Sequence, residues 1–361
     1  MRRLINKCIL TTFISVASIL VMSGCEGQNV KENGTTIVCT IFPIYDWVCE
    51  VTEGAEDVNV ILLSENGADM HSFQPTVKNV IDITDCDMFI YVGGESEEWI
   101  NDCISQNPNP NRVDINLMEF LEDDVLEESH EGILQGEHEH EDADEHLENG
   151  YESGNHDDLD EHEEDANENH EDLGANHEEH SHEHEELEND EHIWLSLRRS
   201  AKCIEHIADE IALKSSYADL INSNADTYIE GICALDSEYR DYFDNNDRKI
   251  FVLDRFPFGY MTSDYDVEYK ALFSGCTTDA NASFQTVMTM ADLLNSTDEN
   301  TVYITENGNE KLARTIIDQS GESKSVRKLN SIQTVSLAGF KEDSKGYLDY
   351  MRENLEVLKE D

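Results

Sequence analysis

Ile37-Val38-Cys39-Thr40-Ile41-Phe42, Val58-Asn59-Val60-Ile61-Leu62-Leu63 and Met88-Phe89-Ile90-Tyr91-Val92 are three short, apolar, partly β-branched runs within one stretch, 37–94. The residues between them keep a different period. Trp47, Val48 and Val51 recur at helical spacing, and so do Val77, Val80, Ile81 and Ile83. Short strands alternating with helical segments predict parallel β-α units. The second run ends in the polar loop Ser64 to Gln74, which carries His71. In open α/β sheets ligands bind at loops beyond the carboxyl ends of strands, so this loop stands where a site is expected.

The same rhythm returns near the C-terminus. Ile250 to Leu253, Val267 to Phe273, Thr301 to Thr305 and Val326 to Leu329 read as strands. Ala282 to Leu294 and Leu312 to Gln319 read as helices, and Tyr347 to Leu358 as a closing amphipathic helix. Between the halves, Ile204, Ile207, Ala208 and Ile211, then Tyr228, Ile232, Leu235 and Tyr239, recur at helical spacing. The expected fold is α/β, with two α/β lobes joined by a long linker helix and a ligand cleft between the lobes.

One stretch breaks the pattern. Between Glu122 and Glu191 there are thirty-two acidic residues and no Lys or Arg, which accounts for much of the formal net charge of -56. Eleven of the fourteen histidines lie here, in alternations such as Glu137-His138-Glu139-His140 and His180-Ser181-His182-Glu183-His184. So polar a segment cannot bury enough surface to offset its ordering entropy, and 121–189 is expected to be a disordered loop. Imidazole beside carboxylate suits Zn²⁺, which makes His138, His140, His177, His180, His182 and His184 candidate auxiliary ligands for several weakly held ions. A merely solvating acidic run is the plainer alternative. The charge also excludes nucleic acid and anionic lipid surfaces as partners, because both would repel the chain.

The chain opens with Arg2, Arg3 and Lys7, an apolar stretch from Cys8 to Met22, and Ser23-Gly24 before Cys25. That is the form of a secretory leader, too short for a stable membrane span. Cys25 after the small pair resembles a bacterial lipoprotein cleavage box, which implies a lipidated residue and an extracytoplasmic, membrane-anchored protein. Seven further cysteines stand singly, with no C-x-x-C pair, and read as small buried hydrophobes. The expected divisions are a leader over 1–24, anchor and tether over 25–35, a first lobe over 36–120 and the acidic loop over 121–189. The end of the first lobe and the linker helix follow over 190–247, then the second lobe over 248–361.

Two histidines stand outside the loop in distinctive settings: Asp69-Met70-His71-Ser72-Phe73-Gln74-Pro75, and Asp190-Glu191-His192-Ile193-Trp194-Leu195. Together with Thr40-Ile41-Phe42-Pro43-Ile44-Tyr45-Asp46, Tyr91-Val92-Gly93-Gly94 and Glu98-Trp99, these segments resemble the ABC-transporter solute-binding lipoproteins specific for zinc or manganese. The resemblance runs from about Ile37 to the end, interrupted by the His-rich loop that zinc-type members also carry. It implies His71 and His192 as metal ligands and a second pair from the C-terminal lobe. There the sequence departs. Phe258-Gly259-Tyr260 is present, but Arg255 stands where the family places a His or Glu, and a guanidinium cannot coordinate a cation. Asn330 stands where the family usually has Asp. Asp254 and Asn330 are therefore the expected third and fourth ligands, with water, Glu306 or a loop histidine as open alternatives. Arg255 could instead pair with an acidic neighbour, and His206 reads as a surface or minor core residue.

The resemblance implies a monomeric receptor that captures Zn²⁺, alternatively Mn²⁺, and delivers it to the permease and ATPase of an ABC importer. A surface zinc buffer or adhesin, with the loop as the working part, is the second reading. A zinc hydrolase is the third and weakest. No H-E-x-x-H, nucleophile elbow or phosphate loop is present, so no enzymatic activity is expected.

Overall fold

The computed structural model describes residues 34–128, 131–135, 188–277 and 281–360. The first lobe is built from β1 (Thr35–Cys39), α1 (Phe42–Val51), β2 (Val58–Leu62), α2 (Val77–Asp85), β3 (Met88–Tyr91), α3 (Trp99–Gln106), β4 (Val113–Asn116) and the short α4 (Leu117–Leu121). Its sheet runs β2-β1-β3-β4 with every pair parallel, Ile37 lying beside Val60 on one side and Met88 on the other. A central parallel strand is covered on both faces, hence the unbroken apolar run at Ile37, Val38 and Cys39, all fully buried. The apolar run ends as a strand at Cys39, earlier than its hydrophobicity suggests. Pro43 at the first turn of α1 explains the change, since its fixed φ and missing N–H suit a helix start.

The acidic segment contributes a strand to the second lobe. β5 (Ile133–Gln135) lies at the edge of the second sheet. Ile133 and Leu134 are among the few apolar residues there, and Leu134 packs against the second lobe's core. The expectation of disorder over 121–189 is thus corrected for 121–128, 131–135 and 188–189, where a helical turn at Glu122–Asp124 and a bridge between Glu127 and Asn189 accompany β5. The six auxiliary histidines named above and Cys25 lie outside the described residues.

α5 (Leu197–Ala212) and the linker α6 (Ala218–Asn245) follow. At 28 residues, α6 spans about 42 Å. The second lobe comprises β6 (Lys249–Phe256), α7 (Gly259–Tyr265), β7 (Glu268–Ser274), α8 (Phe284–Asn295), β8 (Thr301–Thr305), α9 (Glu310–Ser320), β9 (Ser325–Leu329), α10 (Leu337–Asp343) and α11 (Tyr347–Lys359). Its sheet is also parallel, ordered β5-β7-β6-β8-β9, with an irregularity in β6 between Val252 and Arg255. Among the described residues no helix is long and apolar enough to cross a membrane.

The lobes are tied by buried polar contacts around Trp194. Its indole N–H donates to the Ser331 carbonyl at 2.7 Å, and its own carbonyl accepts from the Tyr347 hydroxyl at 2.7 Å. The Tyr347 N–H donates to the Asp46 carboxylate at 2.7 Å, docking α11 on α1. These bonds fix the relative placement of the loops that carry the site.

Candidate metal centre

His71 sits just past β2 in a single helical turn, Met70–Ser72, whose cap Asp69 accepts the His71 N–H at 3.1 Å. Met70 anchors the turn, being buried at 3% exposure. The His71 ring is almost as enclosed, with a side-chain exposure of 3%. Its Nδ1 lies 2.7 Å from the Ser96 hydroxyl and 3.5 Å from the Glu191 carboxylate. The Ser96 N–H in turn donates to Glu191 at 2.7 Å. Gly94, with φ of +85°, lets Glu191 come so close; a Cβ there would strike its carboxylate.

His192 is fully buried. One oxygen of Asp190 accepts from both its backbone N–H and its Nδ1, each at 2.9 Å. A carboxylate only accepts, so Nδ1 carries a proton and Nε2 is the nitrogen left to face His71 and to serve as a ligand. Phe258-Gly259-Tyr260 supports this arrangement from the second lobe. The Tyr260 hydroxyl donates to the Asp190 carbonyl at 2.7 Å, and Gly259 leaves room for the Asp190 carboxylate.

The two Nε2 atoms face each other at 3.3 Å. Two nitrogens on one tetrahedral zinc, each at 2.0–2.1 Å, lie about 3.3–3.4 Å apart, so the rings are already spaced for one shared ion. Protonation agrees with that geometry. Burial first, and then His192, press His71 down to about 3. Burial pulls His192 down as well, but the Asp190 bond and the surrounding carboxylates leave it raised. So close a pair holds at most one proton, and a cation between them relieves the repulsion of the lone pairs.

Cys276 completes the cluster, its Sγ and both imidazole nitrogens lying within 4.8 Å of one another. It follows β7 and is half-buried, with its N–H donated to Glu128 at 3.1 Å. Burial, with Glu128, Asp190 and Glu191 adding to it, pushes its thiol up. The single-cysteine reading as a buried hydrophobe suits Cys39, Cys86, Cys103 and Cys203, but not this one, nor half-buried Cys49 and exposed Cys233. A lone thiol far along the chain carries no ligand spacing, yet its setting, Gly275-Cys276-Thr277, is polar where that of Cys39 is apolar.

Asp254 lines a cavity of about 340 Å³ together with His71, but its carboxylate is not part of the close His71–His192–Cys276 cluster. The Asp254 carboxylate accepts the Thr305 N–H at 3.1 Å and its hydroxyl, stapling β6 to β8. The Asn330 side-chain oxygen closes a turn by accepting the Ile332 N–H at 2.7 Å. Glu306 is likewise committed, to Ser331 and Thr334. Arg255 pairs with Asp69 at 2.9 Å across the lobes, behind the His71 turn. His206 stacks on Phe120 at 4.1 Å. A cavity of about 380 Å³, lined by Glu128, Asp190, Gly259 and Gly275, opens beside the cluster.

The family model described as "Zinc-uptake complex component A periplasmic" matches residues 37–361. The zinc-binding lipoprotein AdcA of Streptococcus pneumoniae is 27% identical over 347 residues, covering 94% of this chain but 58% of that protein. The chain therefore spans less than two thirds of the curated relatives it matches first. The high-affinity zinc uptake system protein ZnuA of Bacillus subtilis is 22% identical, with 96% of each chain covered. Among solved structures, the Zn(II)-bound ZnuA-like domain of Streptococcus pneumoniae AdcA superposes with a TM-score of 0.63 at 21% identity, covering 90% of this chain and 98% of that one.

Proposed function

The chain belongs to the family of zinc-uptake complex component A, and from that premise we propose that it captures Zn²⁺ outside the cytoplasm and delivers it to an ABC importer. The observation that carries the reading is the His71–His192 pair, with Nε2 atoms 3.3 Å apart and the Nδ1 proton of His192 held by Asp190. Neutral imidazoles favour Zn²⁺ over Mg²⁺ or Ca²⁺, which prefer oxygen shells, and over Mn²⁺, which takes more carboxylate. The permease and ATPase are the partners, the receptor works as a monomer without catalysis, and Cys25 anchors it by lipid on the outer face of the membrane.

The His-rich segment supports a second, subsidiary role as a loose zinc collector. Its alternating imidazoles and carboxylates bind several ions weakly, because ordering them costs entropy. Competition titration of the full chain against a chromophoric zinc chelator separates the roles. One tight ion that disappears in His71→Ala/His192→Ala, with the weak sites unchanged, is the expected result. Tight binding that survives the double substitution and is lost on deleting 122–188 would leave the buffer reading in its place.

A further inference from the structure

We propose that the Cys276 thiolate is the third ligand of the captured ion, making an N₂S site in which the second lobe contributes sulfur. This rests on capture at His71 and His192. Three observations place it there. Sγ lies within 4.8 Å of both Nε2-bearing rings' ligand nitrogens. For a tetrahedral zinc with Zn–N near 2.05 Å and Zn–S near 2.3 Å, the expected N···S separation is about 3.6 Å, so a small adjustment of one rotamer brings the sulfur into bonding range.

The loop is also built for this approach. A Cβ on Gly275 would lie 2.9 Å from the Phe256 carbonyl and 3.0 Å from the His192 ring, so only glycine lets the residue before Cys276 pass so close to His192. The Cys276 N–H is fixed by Glu128, which sets the direction in which the side chain leaves the backbone. Finally, among the described residues Cys276 is the one His, Cys, Asp or Glu of the second lobe that joins both histidines in a close cluster. Glu306 and the Asn330 amide accept hydrogen bonds of their own, one oxygen of Asp254 is held by Thr305, and Arg255 is a cation paired to Asp69.

On coordination the Sγ–H proton passes to buffer as the metal–sulfur bond forms, with no change of oxidation state. A thiolate is softer than the carboxylate or imidazole it replaces. It therefore biases the site towards Zn²⁺ and other thiophilic cations and away from Mn²⁺. Sulfur from one lobe and nitrogen from the other also make the ion itself a bridge between lobes.

The test uses Co²⁺ as a spectroscopic stand-in for Zn²⁺ in the full chain. Thiolate bound to Co²⁺ gives a near-ultraviolet charge-transfer band that imidazole and carboxylate do not. The acidic His-rich segment contains no cysteine, so ions held there are silent. The band is expected at one equivalent in the parent chain, absent in Cys276→Ser and unchanged in Cys233→Ser, a control at an exposed thiol on α6. Cys276→Ser should weaken Zn²⁺ binding by more than the roughly 100-fold upper end for loss of an orienting partner, and Mn²⁺ binding by less than about tenfold. A parent chain that binds one Co²⁺ tightly without the band, or a band that persists in Cys276→Ser, overturns the proposal and leaves capture by the histidines standing. A parent chain with no tight ion overturns the capture reading, and the sulfur ligand with it.

Discussion

Replacing Asp190 by Asn tests whether His192 is held as a metal ligand or merely buried. Asp190 accepts two hydrogen bonds through one oxygen, from the backbone and ring of His192, each at 2.9 Å. An amide oxygen can keep both, so the ring should stay in place while the negative charge behind it disappears. The loss then falls on the basicity of Nε2 and on charge balance around the ion. Outer partners of metal-bound histidines are worth 10–100-fold in affinity, about 1.4–2.8 kcal/mol. Asp190→Asn should therefore bind one tight Zn²⁺ with affinity reduced by that factor in a chelator competition, and with little change in thermal midpoint. The milder Ser96→Ala, which removes a neutral partner of His71, should cost less than tenfold. Unchanged zinc affinity in Asp190→Asn would refute the reasoning, since His192 would then be a structural residue.

Other consequences follow from the same geometry. Because His71 is held near 3 and His192 is raised, zinc bound at about pH 5 should displace one proton from the two rings, not two, as read by calorimetry in buffers of different ionisation heat. Gly275→Ala should weaken zinc at least about tenfold, because its Cβ meets backbone at Phe256 and the His192 ring; zinc titration with a circular-dichroism control checks this. Away from the site, burial raises the Asp46 carboxyl to about 7. The folded state then holds that proton more tightly than the unfolded chain. Its contribution to stability is fully present below pH 4 and is lost as pH rises through about 7, at most about 4 kcal/mol. Urea unfolding of Asp46→Asn should show a flatter dependence over that window than the parent.

The strands at Ile37, Met88 and Thr301 were legible because parallel strands buried on both faces are written as continuous apolar runs, and the edge strand at Val58 by its β-branched content. β4 and β5 were not, since Val113–Asn116 alternates with polar residues and Ile133–Gln135 is three residues inside an acidic stretch. His71 and His192 could be read from local motifs, because the residues that orient each lie beside it in sequence: Asp69 caps one, Asp190 holds the other. The second lobe's contribution could not be read that way. Asp254 and Asn330 had suitable oxygens, but Thr305 holds one oxygen of the first and Ile332 the amide oxygen of the second, and a sequence does not display that competition. Cys276 becomes a neighbour of His192 only through the placement of β7 and the glycine before it.

The most direct test of the central claim is a crystal structure of the zinc-loaded chain with anomalous data on both sides of the zinc edge. The account predicts one strong peak between the Nε2 atoms of His71 and His192, about 2.0–2.1 Å from each. A zinc peak found only elsewhere, with the two rings still facing each other unligated, would contradict it.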